Sequence, residues 1–441
     1  MNILIIILLS IIFIVIAIAK FKIHPFITLI IASVIVGSLM GLDGATIINK
    51  INEGFGKTLS SIGIIIAFGS IIGVFLEKSG GTAAIAQYLL RLIGKSKSPL
   101  AMNLTGILVS IPVFCDSGFI ILSSLNKALS KKTGLSLVVF AVALSTGLYV
   151  SHVFIPPTPG PLAAAAALNA DLGLVILLGL ALAIPTAYVG YLWALKSGKN
   201  LKTTEIKESA TEVIAESNAS ILTVLLPILI PILLIALRSF AQYPSLPFGE
   251  GFLYNAFTFI GHPLVALFIG ILFALKLIDK KAPMTDKLSW VTTALKEAGI
   301  IILITGAGGA FGNILRSGNL SEVIGTTFSG LQAGIFLPFI LAAILKTAQG
   351  SSTVAIITAA TIIAPLMPVL GLDSDISRAL VVLAVGAGAM TVSHINDSYF
   401  WVVAQFSGMD TKTTLKSHSL ATLIQGVVAI LLLSLVQIFF A

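Results

Sequence analysis

The chain has 441 residues, of which 57% are hydrophobic and 10% charged, with a formal net charge of +8 and a mean hydropathy of +1.08. Soluble domains carry about a quarter charged residues and cannot hide this much apolar surface, so the composition excludes a soluble enzyme or binding module and predicts an all-α polytopic membrane protein. The basic residues are scattered in loops beside apolar stretches, where the positive-inside rule accounts for them without nucleic-acid binding, and the single Cys115 excludes an intrachain disulfide or a cysteine-based metal cluster.

Apolar stretches follow one another near 3–19, 23–42, 58–76, 100–114, 135–150, 172–195, 220–237, 263–278, 298–315, 333–345, 376–392 and 421–440. Most approach the roughly 20 helical residues that a bilayer core requires, which predicts about 12 spans. The first lacks the basic start of a signal peptide and reads as a true span, although Ala17-Ile18-Ala19 mimics a cleavage site.

Two features occur twice. The stretch at 58–76 carries Gly69 and Gly73 in a GxxxG, then Lys78-Ser79-Gly80; the stretch at 298–315 carries Gly308 and Gly312, then Arg316-Ser317-Gly318. Val150-Ser151-His152 recurs as Val392-Ser393-His394, and an offset of about 240 positions links both pairs, as a tandem duplication would. The expected organisation is N-terminal helices over 1–57, a first repeat over 58–195, a cytoplasmic linker over 196–219, connecting helices over 220–297 and a second repeat over 298–441. The linker is the long polar stretch from Lys196 to Ser220, with four Lys and four Glu. Its lysines, and those of Lys276 to Lys287, mark cytoplasmic segments, whereas Ser239 to His262 holds no Lys or Arg and faces outward. Arg91, Lys95 and Lys97 follow the first GxxxG, while Ser317 to Phe336 after the second has no Lys or Arg. The repeats therefore read as inverted in topology, with interrupted or re-entrant helices around a midplane site, as in many secondary transporters.

Four interruptions carry the chemistry. In Ile111 to Phe119, Pro112 and Gly118 break the helix beside Asp116. A carboxylate at membrane depth costs at least ~2.5–3.5 kcal/mol unless it faces a wet cavity or a partner; a proton or ion site, a water-exposed loop tip and a helix cap all remain open. Ser151 to Pro161, including His152, Pro157 and Thr158, contains four prolines, and such backbone either lines a cavity or forms an external loop. Lys346 to Thr353 offers Gln349, Gly350, Ser351, Ser352 and Thr353 ahead of an apolar helix, an N-terminus suited to an anion. Lys346 adds a cation or snorkels to an interface. Val392 to Trp401, if helical, places Ser393, Asn396, Asp397 and Phe400 on one face, with His394 a turn from Asp397 and able to share a proton with it. His394 also reads as an ordinary hydrogen-bonded residue, and no HxxxH or HExxH spacing supports a metal site.

Together CDSGF at 115–119, SHVFIPPTPGPLAAA at 151–165, GGAFGNIL at 308–315, TAQGSSTVA at 347–355 and SHINDSYFW at 393–401 resemble the gluconate permease family of proton-coupled sugar-acid symporters. The resemblance covers most of the chain and departs at Cys115, Thr158 and Tyr399, which leaves gluconate itself open against related sugar acids, glycerate, or small hydroxy or amino acids. It implies a secondary transporter in a bacterial-type inner membrane, embedded in the lipid bilayer, without a cofactor or metal. Gln349 to Thr353 would bind the substrate carboxylate, while Ser393, Asn396 and the proline loop (Ser151, His152, Pro157, Thr158) read hydroxyls. Asp116 is the first choice for proton coupling, ahead of His394 and Asp397. Sodium coupling and a homodimer stay open. An intramembrane aspartyl enzyme using Asp116 and Asp397 is the alternative of a different class, and a channel is disfavoured by the absence of a charge ring or repeated filter in the sequence.

Overall fold

The computed structural model describes residues 3–21, 23–198, 201, 220–242, 247–278, 284–317, 334–368, 370–395 and 397–440, and among them every regular element is helical. With no water to satisfy exposed peptide groups, apolar spans close their backbone hydrogen bonds internally. In the first half the helices are α1 (Ile3–Ala19), α2 (Pro25–Leu39), α3 (Gly44–Lys78), α4 (Gly81–Ile93), α5 (Ser98–Val109), α6 (Cys115–Thr133), α7 (Leu137–Phe154), α8 (Pro159–Ala167) and α9 (Leu172–Gly198). The expected linker begins inside α9, and apart from residue 201 its remainder, 199–219, lies outside the described residues; beyond it come α10 (Ile221–Ala241), α11 (Phe252–Ile260), α12 (Pro263–Ala274), α13 (Met284–Arg316), α14 (Phe336–Gln349), α15 (Ser352–Ile363), α16 (Asp375–Met390), α17 (Ser398–Phe406), α18 (Thr411–Thr414) and α19 (Leu420–Phe440).

Among the described residues six helical segments are long and apolar enough to cross a membrane, or seven if the pair 252–260 and 263–277, bent by 64°, is one span. The apolar stretches at 100–114 and 333–345 are only 12- and 14-residue helices there. The reason is local: a turn at Ser110 ends α5 two residues before Pro112, and Gly350, with φ of 86°, closes α14 in a left-handed turn that a side chain resists. Sequence hydropathy does not register such breaks, because the residues that make them are small or apolar.

The same pattern of elements appears in both halves. A short helix, a break and a second helix (α5 and α6; α14 and α15) precede a buried helix, a break and a short helix (α7 and α8; α16 and α17). Packing repeats with it: α5 lies on α7 as α14 lies on α16, and α9 covers α7 as α19 covers α16. The halves interlock through their short pieces, because α8 packs on α15 and α17 packs on α6. The buried α7 and α16 form the centre. Polar side chains there answer to backbone: Asn103 Nδ2 donates to Ala143 O at 2.9 Å, and Gln425 Nε2 to Thr186 O at 3.1 Å. The long helices α3 and α13 pack along each other outside this core. On α3 the first GxxxG has a visible purpose, since Gly69 admits the Pro157 carbonyl and Gly73 the Pro112 carbonyl, bringing two breaks against one helix.

Candidate functional site

The four interruptions meet. At the first, Phe114 precedes α6 and Asp116 sits in its opening turn, its Oδ1 buried without a hydrogen-bond partner. The Phe114 ring lies 6.0 Å from the His152 ring at the end of α7. His152 Nε2 reaches Thr353 Oγ1, in the first turn of α15, at 3.3 Å. Ser351 caps that helix, accepting from Val354 N at 3.3 Å. A Ser N-cap leaves the remaining first-turn N–H groups and the positive end of the dipole pointing at whatever occupies the site. At the fourth break Asp397 caps α17, accepting from Tyr399 N at 3.1 Å, and Ser393 N is held by Thr422 Oγ1 at 3.0 Å.

At the centre is Lys346, 1% exposed. Its Nζ is 2.5 Å from Asp397 Oδ2 and donates to Gly350 O at 2.7 Å, and it stands 5.9 Å from the centre of the Tyr149 ring. Ser393 Oγ donates to the same Oδ2 at 2.5 Å. Tyr149 and Tyr399 lie 5.2 Å apart beside the pair. An ion pair stripped of water is stable only while both partners stay satisfied, and removing either charge strands the other. Neutralising Asp397 would leave an ammonium beside a helix N-terminus, where a carboxylate could take the place of Asp397 as its partner.

Most of the residues singled out from the sequence are therefore brought together: Asp116, His152, Gly350, Ser351, Ser352, Thr353, Ser393 and Asp397. Ser151 is fully buried with its Oγ unpartnered. Pro157 turns its carbonyl to α3, and Thr158 donates back to Ile155 O at 2.6 Å, so neither hydroxyl nor ring faces the ion pair through those contacts. Asn396 and the Gln349 side chain lie outside the described residues. One expectation is corrected: Thr391 to Ile395 and Asp397 are not helical, so Ser393, Asp397 and Phe400 do not share one helical face. An aspartate whose carboxylate binds its own downstream N–H favours a cap over a helix interior. His394 meets Asp397 only through its backbone carbonyl, which accepts from Asp397 N at 2.8 Å; its ring Nε2 lies 3.2 Å from Thr347 O and ties the loop to α14. Sequence reasoning missed Tyr149, Tyr399 and His418. The last had a signal, a histidine between two serines at the start of the apolar run that ends the chain.

Two adjoining cavities, of about 410 and 300 Å³, lie between α3, α8, α13 and α15 and gather Lys57, Arg238, Arg316 and Arg378. Neither is lined by Lys346 or Asp397.

A family model described as GntP family permease matches residues 1–439. A gluconate permease of Pseudomonas aeruginosa is 36% identical over 441 residues, covering 97% of each chain. The D-serine transporter DsdX of Escherichia coli is 34% identical over 434 residues, covering 96% of this chain and 95% of its own. The fold is similar to that of Neisseria gonorrhoeae MtrF, described within a class of antimetabolite efflux pumps, with a TM-score of 0.66 at 15% identity over 95% of this chain and 96% of that one.

Proposed function

The chain belongs to the GntP permease family, and on that premise we propose that it is a proton symporter importing gluconate or a related small sugar acid or hydroxy carboxylate. Its relatives are permeases and transporters, not enzymes, and the work asked of the site is binding and release. The buried Lys346–Asp397 pair at the meeting of four helix breaks carries the reading. A proton on Asp397 frees Lys346 for the substrate carboxylate, and α15 supplies N–H donors from Ser352 and Thr353. On this reading Ser151, His152, Ser393 and Asn396 read the substrate's hydroxyls and Gln349 joins Gly350 to Thr353 in binding its carboxylate, whereas Thr158, bonded to Ile155 O, and Pro157, against α3, hold the loop. Asp116, across the site from the pair, is the second proton carrier. His394, bonded to backbone, acts as an anchor. Entry of an anion against an interior-negative potential costs about 2.3 kcal/mol per charge per 100 mV, so more than one proton per substrate makes uptake electrically favourable. Two repeats of opposite topology, supported by the repeated element order and the lysine asymmetry, supply alternating access.

The test is uptake of gluconate and shorter hydroxy acids into proteoliposomes under an imposed pH gradient, with a sodium gradient as the control. Accumulation driven by sodium alone would replace the proton, and failure of every acid to counterflow would sink the transporter reading of this site.

A small amino acid is the second reading, favoured by the buried Asp116 Oδ1, which has no hydrogen-bond partner and suits a substrate ammonium. D-serine competing with gluconate in the wild type, and no longer competing in Asp116→Asn, would support it.

A further inference from the structure

α18 does not run directly into α19. Between them Leu415–Ser419 forms a π turn, the wider turn that recurs at functional sites because it spoils helix hydrogen bonding to reposition side chains. Here it turns His418, wholly buried, onto the central site, and the Ser417 carbonyl is taken up by Trp193 Nε1 at 2.9 Å.

Both ring nitrogens of His418 are engaged. Nε2 is 3.2 Å from Ser393 Oγ, and Nδ1 is 3.0 Å from Ser145 Oγ. Ser393 commits its one proton to Asp397, so it accepts from His418, and Nε2 carries hydrogen. Ser145 has a second acceptor within reach, Val142 O at 3.1 Å. Two proton arrangements then satisfy every atom. With His418 neutral, Ser145 donates to Nδ1. With His418 protonated, Nδ1–H donates to Ser145 Oγ, and the serine hydroxyl swings to Val142 O. A single hydroxyl rotation separates them. A buried imidazole fixed for structure alone needs one arrangement; this one has partners ready for both.

We propose that His418 is a proton-binding residue wired through Ser393 to the Lys346–Asp397 pair. The role of its proton rests on the symport reading. Protonated His418 gives Nε2–H to Ser393 Oγ while Ser393 gives its own proton to Asp397 Oδ2, so imidazolium and carboxylate become imidazole and carboxylic acid. Net charge is conserved, and Lys346 is released for the substrate. The charged and titratable groups facing His418 are Asp397, Lys346 and Tyr399, whose ring meets it edge-on at 5.4 Å. α7 and α9 contribute the neutral Ser145 and Trp193, and Lys412 and Lys416 belong to its own segment.

His418→Gln keeps a donor for Ser393 and an acceptor for Ser145 but cannot take the proton. In proteoliposomes it should retain gluconate counterflow while losing accumulation driven by a pH gradient and the bend in the uptake–pH profile that the wild type shows as the pH falls. Wild-type accumulation and an unchanged profile would overturn the proposal. A second measurement does not need transport: in wild-type protein with 15N-labelled histidine, the His418 imidazole should pass from neutral to doubly protonated as the pH is lowered through the bend in the uptake profile, and a constant neutral signal would overturn the assignment. Should His418→Gln not fold, the signal is identified as the one that persists when His24, His152, His262 and His394 are replaced singly. A titrating His418 in protein that moves no protons with gluconate would retain the site and reject the symport reading alone.

Discussion

At the scale of the residue, the central fact is a lysine and an aspartate buried together. Lys346→Met should leave Asp397 charged and unpaired, which costs about 3–5 kcal/mol when a buried partner is removed, whereas Lys346→Met with Asp397→Leu removes both charges and should recover most of that stability. Thermal unfolding in detergent distinguishes them, and equal losses in the two proteins would mean that the pair is not a desolvated unit. Ser351→Ala removes the cap of α15, worth roughly 1 kcal/mol, and together with Ser352→Ala should weaken gluconate binding in a titration. The uncharged lactone should bind the native protein poorly. A lactone that competes as well as the acid would end the carboxylate reading. The types of these residues were legible in the sequence, but their partners were not. Asp397 looked like a member of a helical face because its periodicity fits one, and only the backbone shows that it caps α17 instead.

At the scale of the element, the breaks are made by short-range chemistry and so are visible in the sequence, while their juxtaposition is made by close packing. Gly73 is the clearest case. A methyl group there would fall inside contact distance of the Pro112 carbonyl, and overpacking of this kind typically costs about 1–3 kcal/mol. Gly73→Ala should lower the unfolding temperature and disturb the loop before Asp116. Gly56 lies on the same helix with nothing within 4 Å of an added Cβ, and Gly56→Ala should gain about 0.5–1 kcal/mol from helix propensity. If both variants shifted stability alike, α3 would not be held against the breaks by the first GxxxG.

At the scale of the whole molecule, a multi-pass protein of the bacterial inner membrane is built from two similar sets of elements whose short helices cross between halves, α8 onto α15 and α17 onto α6. Moving one set against the other would change the site, since His152 at the end of α7 reaches Thr353 on α15. If the sets are inverted, cysteines at Lys97 and Ser317 should react with an impermeant thiol reagent from opposite sides, the native Cys115 being buried. Labelling of both from one side would make the repeats parallel and remove the stated route to alternating access.

The sequence by itself determined the membrane class, the positions of the helix breaks and the acid at the first of them, because hydropathy, proline and glycine act within a few residues of where they stand. The tertiary structure decided which breaks touch, that Lys346 is paired to Asp397 and does not snorkel, that His394 binds backbone, and that His418 reaches the site through Ser393. Those outcomes depend on how helices far apart in the chain pack, and an ion pair or a hydrogen-bond chain between them leaves no periodicity or spacing to read.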